Sequence, residues 1–169
     1  YVDCLLKLGW EADAKRMINI AMCHNTKDIK FEPRKKQGKL KSLPKNSHPN
    51  PGDPPEDQLQ GLVALCNTGN QQKALLEVLK LRQSFTNSAS LNNILGILLD
   101  SFNKLEAAIK VFNLVIRVNP NFYPVYNNLG NTYKKRGQLH EALKYYNKAI
   151  SIKNDFSEAY KNIGVVLNE

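Results

Sequence analysis

The stretch that decides the fold is YPVYNNLGNTYKKRGQLHEALKYYNKAISIKNDF, residues 123–156. Tyr126, Leu129, Gly130 and Tyr133 stand at i, i+3, i+4 and i+7, the spacing of one face of a helix. Gly137 then offers the positive φ at which a helix stops comfortably. Ala142, Tyr146 and Ala149 make a second helical stripe. The segment therefore predicts two helices joined by a short turn. The small pair Gly130 and Ala142 is expected to let the two backbones approach closely, and the bulky Tyr133 and Tyr146 to fill the gap toward a neighbouring hairpin.

A 34-residue period carries this pattern outward in both directions. Gly69, Asn103 and Gly137 share one column, and Ala74, Ala108 and Ala142 another. Val78, Phe112 and Tyr146 form a third, and Gly96, Gly130 and Gly164 a fourth. A fixed period of this length predicts a stack of helical hairpins, each needing its neighbours to cover its apolar face. The expected organisation is three repeats over 55–88, 89–122 and 123–156, and a partial one over 157–169. The first unit is the most degenerate, held to the pattern by Gly69 and Ala74 with Leu62, Leu65, Val78 and Leu81 as apolar fill.

Two other regions precede the array. Residues 1–25 read as the end of one helix, a turn at Gly9 and a second helix striped by Ala14, Ile18, Ala21 and Met22, the tail of an earlier hairpin. Residues 26–55 hold six of the eight prolines and read as a disordered, Lys/Pro-rich linker, too poor in apolar residues to offset its ordering entropy. The net charge of +9 is concentrated there: Lys27, Lys30, Arg34, Lys35, Lys36, Lys39, Lys41 and Lys45 face only Asp28 and Glu32. With Phe31 as its sole aromatic, this run reads as a solvated tether, and nucleic-acid binding through it is not expected. The start at Tyr1 and the end at Glu169 within a repeat read as a piece of a longer chain.

The chemistry of a catalyst is not expected in this segment. No acidic cluster has metal-ligand spacing and no Gly-rich phosphate loop exists, so no metal or cofactor is expected. Cys23 and His24 are adjacent but lack a context that would make a nucleophile. His140 reads as solvated. Cys4, Cys23 and Cys66 fit neither a disulfide framework nor a zinc site, which suits a reducing, cytoplasmic compartment and structural thiols. The apolar patch 91–99 is interrupted by Asn92, Asn93 and Gly96 and is too short to span a bilayer.

Residues 123–156 closely resemble the tetratricopeptide repeat. Its signature positions are matched by Tyr126, Leu129, Gly130, Tyr133, Ala142, Tyr146 and Ala149, with Asn154 where proline is usual. Residues 89–122 match through Leu95, Gly96, Ala108, Phe112 and Pro120 and depart at Asn92, Asn103 and Val115. The resemblance implies an all-α, right-handed superhelical solenoid whose concave wall is the first helix of each repeat. On that wall Asn93, Asn127, Asn128, Asn131 and Asn162 form a polar strip, similar to the asparagine ladder of the superhelical repeats in O-GlcNAc transferase. A primary amide has both donor and acceptor, so a row of them suits the backbone of an extended peptide of any sequence. Lys134, Lys135 and Lys161 would add attraction for acidic partners. The implied function is a protein-interaction scaffold for an extended peptide or partner helix. The alternative is the substrate-presenting part of a larger glycosyltransferase or sulfotransferase, as in similar bacterial proteins, with its catalytic residues outside this chain.

Overall fold

The computed structural model describes residues 52–168. The expected hairpin over 1–25 and all but the last residues of the tether lie outside them. Among the described residues there are seven helices and no strand: α1 (Glu56–Asn67), α2 (Gln71–Ser84), α3 (Ala89–Ser101), α4 (Leu105–Val118), α5 (Tyr123–Lys135), α6 (Leu139–Ile152) and α7 (Ser157–Leu167). The architecture is an all-α helical-repeat solenoid.

The helix ends follow local chemistry. Glu56 and Asp57 lie in the first turn of α1, where the helix dipole favours negative charge. The Ser88 hydroxyl caps α3 by accepting the Leu91 N–H at 3.0 Å. Pro124 sits in the first turn of α5, where its missing N–H costs nothing. Lys134 and Lys135 close α5 at its negative end.

One turn is used three times. Gly69, Asn103 and Gly137 have φ of +80°, +60° and +75°. In each case the next residue donates its N–H five residues back: Asn70 to Leu65, Lys104 to Leu99 and Gln138 to Tyr133, at 3.0, 2.8 and 3.0 Å. This is the left-handed helix stop that glycine makes cheaply and that asparagine tolerates better than other side chains. The first glycine column of the sequence is thus a column of backbone conformation.

The other columns are columns of burial. Ala74, Ala108, Ala142, Val78, Phe112 and Tyr146 are all fully buried. Each helix packs on the next in the chain, and the first helices α1, α3, α5 and α7 also pack successively side by side. Helix α3 is covered from both directions, so ten of its thirteen residues are buried, Asn92 and Asn93 among them.

Two glycines of the fourth column each leave room for an aromatic ring. A Cβ on Gly130 would lie 2.5 Å from Tyr146 Cε1, and one on Gly96 2.3 Å from Phe112 Cε1. Each of these two glycines therefore seats the aromatic ring of the second helix in its own hairpin. Tyr146 accordingly packs inward, as does Tyr133, whose ring stacks on Tyr145 of the same hairpin with centroids 5.2 Å apart. At Gly164 nothing lies within 4 Å of a built Cβ.

Candidate functional site

The asparagines of the wall come together and bond to one another across successive repeats. Asn93 and Asn127 are buried, at 4% and 2% exposure. Each accepts from the amide of the following repeat: Asn128 Nδ2 donates to Asn93 Oδ1, and Asn162 Nδ2 to Asn127 Oδ1, both at 2.9 Å. Asn162 Nδ2 also donates to Asn131 Oδ1 at 3.1 Å, and the Tyr146 hydroxyl donates to the same oxygen at 2.8 Å. The amides therefore act as fasteners between successive first helices. Asn128, Asn131 and Asn162 stay half-buried, at the edge where a ligand would lie.

This pairing gives the expected row of amides a second task, joining successive repeats. Asn93 and Asn127 belong to the joints between repeats. A buried amide needs partners, and the neighbouring repeat brings one within reach at every step. Unused within the strip are the Oδ1 of Asn128 and of Asn162, the second N–H of Asn128 and the N–H groups of Asn131.

The three lysines are not equivalent. Lys135 Nζ donates to the Asp100 carboxylate on α3, an ion pair between repeats. Asp100 also accepts from the fully buried Thr132 at 2.9 Å. Lys135 thus arrives at the wall with an anion in hand. Lys134 is half-buried and Lys161 exposed. Beside them, Arg136 reaches back to Glu106 at 3.6 Å.

Several contributors were not singled out from sequence. Thr132 and Asp100 are one pair; Thr132 had a readable signal, a polar residue in a column otherwise filled by Leu98 and Val166. Asp53 is another: its carboxylate accepts from the Ser88 hydroxyl and, at 2.7 Å, from Ser90, tying the chain before α1 to the start of α3. Asn92 replaces the aromatic residue of its column. Its Nδ2 donates to Thr86 O and Ser88 O at 3.1 and 2.8 Å, doing for that loop what the Tyr126 hydroxyl does by donating to Pro120 O at 2.8 Å in the next repeat.

Titration adds little reactivity. Burial pushes the Cys66 thiol up to about 11, so it remains a protonated, poorly nucleophilic group near neutral pH. Burial also raises the Tyr126 and Tyr145 phenols, Tyr145 with a further push from Tyr133. His140 is exposed. Among the described residues no group of three or more His, Cys, Asp or Glu side chains could hold a metal ion, and no helix is long and apolar enough to cross a membrane.

Known proteins place this geometry. Family models described as tetratricopeptide repeat match residues 123–156 and 89–122. Among solved structures, the MamA protein is similar at 29% identity and a TM-score of 0.58, over 67% of this chain and 62% of that one. The chain thus spans less than two thirds of MamA's length. The Thermobaculum terrenum O-GlcNAc transferase matches at 17% identity and a TM-score of 0.63, over 66% of this chain and 22% of that one. The first tetratricopeptide-repeat domain of Spaghetti (RPAP3), bound to the HSP90 peptide SRMEEVD, matches at 16% identity and a TM-score of 0.60, over 66% of this chain and 89% of that one. No curated protein sequence matches significantly. With the 34-residue period, the helix pairs and both family matches in agreement, residues 89–156 are tetratricopeptide repeats.

Proposed function

We propose that the array is a protein-interaction scaffold, and that it holds an extended peptide along the first-helix wall at Asn128, Asn131 and Asn162. The observation that carries this reading is the strip itself. Half-buried amides of successive first helices are held in place by their neighbours, so little side-chain entropy is left to lose on binding. Asn128 and Asn162 stand one repeat apart, each with a carbonyl oxygen that the strip leaves unused and that could accept a peptide N–H. Lys134 and Lys161 favour a ligand that is acidic toward the α5–α7 end. The similar domain bound to an HSP90 peptide is a precedent for a ligand on this fold, and the setting proposed is a reducing cytoplasm.

The fasteners dictate how to test it. Replacing the asparagines would loosen the array as well as the site, so the ligand should be altered instead. Peptides are selected by display on the purified chain, and their backbone nitrogens are then methylated one at a time. Recognition through the peptide backbone predicts at least a tenfold loss of affinity at two or more alternate positions. A selected peptide that tolerates methylation at every position would overturn the reading.

A further inference from the structure

The asparagine joints recur at the period of the repeat. The Asp100 contact does not. One repeat earlier its column holds Cys66, and one repeat later Lys134; Thr132 shares a column with Leu98 and Val166. Among the described residues, the neighbouring junction between α5 and α7 is made by Asn162 with Asn127 and Asn131. The cluster of the Thr132 hydroxyl and the Asp100 carboxylate is thus particular to the α3–α5 junction, in addition to the amide joint there.

Its chemistry is that of a receptor for a carboxylate. Two donors of different kind converge from α5: the hydroxyl of Thr132, fully buried, and the ammonium of Lys135. The Asn128 carbonyl, 3.1 Å away on the preceding turn, is the other acceptor within reach of the single Thr132 proton. The anion they hold is at the rim, with the Asp100 and Lys135 side chains 15% and 28% exposed. It stands one turn along α5 from Asn128 and Asn131, on the wall already assigned to the peptide.

We propose that Thr132 and Lys135 form a carboxylate-binding subsite of the peptide wall, filled at rest by the chain's own Asp100 and taken over by an Asp or Glu side chain of a bound peptide. This rests on the reading of the wall as a peptide site. Exchanging one carboxylate for another keeps the charge and both hydrogen bonds, and Asp100 returns to water at the rim. A neutral peptide leaves Asp100 where it is. The wild-type wall is thereby moderated in its preference for acidic ligands, and Asp100 sets that preference.

The test empties the subsite and offers it a free carboxylate. Asp100→Ala is unfolded thermally in sodium acetate and in sodium chloride at equal ionic strength. At 0.1 M, acetate should raise its Tm by about 2–4 °C more than it raises that of the wild type. Asp100→Ala/Lys135→Met and the volume-keeping Asp100→Asn should show no such excess. If Asp100→Ala is unfolded in chloride, acetate should restore its helical signal. Absence of rescue in both forms overturns the subsite. A second arm reads the ligand: displayed peptides captured by Asp100→Ala should carry at least threefold more Asp and Glu than those captured by wild type. Rescue without that enrichment would make the cluster a structural joint only and overturn its ligand role. Loss of all peptide capture by the wild type would refute the scaffold reading while leaving the acetate result standing.

Discussion

Alanine at Gly130 and alanine at Gly164 are the same substitution in the same column, and they should have opposite effects. A Cβ at Gly130 would meet Tyr146 Cε1, Cδ1 and Cζ at 2.5, 2.7 and 3.0 Å. Carbon atoms rest at about 3.5–4.0 Å, so the ring must retreat by roughly 1 Å. It has no room to do so, being fully buried with its hydroxyl anchored on Asn131. Overpacking of this kind costs about 1–3 kcal/mol, and losing the hydroxyl bond about 1 kcal/mol more. Alanine in place of glycine inside a helix returns about 1 kcal/mol. Gly130→Ala should therefore be destabilising by about 1–3 kcal/mol. At Gly164 only the helix gain applies, and the change should be neutral to stabilising by about 1 kcal/mol. Urea unfolding followed by circular dichroism at 222 nm, with each variant compared to wild type by its midpoint, reads the difference. A Tyr146→Leu background supplies the control: with the ring gone, Gly130→Ala should lose most of its penalty. Equal shifts in the same direction at Gly130 and Gly164 would show that the ring seat does not set the role of this column.

The remaining predictions concern the joints and the turns. Asn128→Ala should destabilise by about 1–3 kcal/mol, because it leaves the buried Asn93 oxygen unpaired, and Asn93→Ala/Asn128→Ala should cost less than the two single changes added together. Asn103→Gly should stabilise by a few tenths of a kcal/mol up to about 1, while Gly137→Ala should destabilise by about 1, since both residues hold positive φ. Cys66 has a folded pKa raised from 9.0 to about 11, so its contribution to stability is full below pH 9 and is lost as pH rises through about 11. Its alkylation by iodoacetamide at pH 8 should be at least tenfold slower in the folded chain than in urea, and equal rates would contradict its burial.

The fold was legible because the columns combine two kinds of information. A glycine or asparagine at every turn fixes the backbone, and a small residue followed four later by a large one fixes which helix face goes inward. The partner of each ring was not legible. Whether Tyr146 seats on Gly130 or on the next hairpin depends on the direction its side chain takes from α6, and spacing alone leaves that open. The wall was legible as a set of columns, since Asn127, Asn128, Asn131 and Asn162 lie where a repeat places its first-helix face. Residue type could not show how far their amides were already committed. An asparagine on a surface and one bonded to its neighbour are written with the same letter. Asp100 was hidden for a related reason: its column is Cys66, Asp100, Lys134, and a carboxylate that satisfies one lysine of the next helix has no periodic signature.

The joints also give the stack a mechanical order. Between α3 and α5 lie an amide bond, a hydroxyl–carboxylate bond and an ion pair, and between α5 and α7 the double amide of Asn162. The start of α3 is instead tied by Asp53, on the chain just ahead of α1, to Ser88 and Ser90. A pull on the N-terminal side loads that strap before it loads any amide joint. Under tension the first hairpin should peel away as a fuse while the wall from α3 to α7 keeps its pitch. A ligand seated on Asn128 and Asn162 would then feel a spring of constant spacing however the leading repeat is tugged.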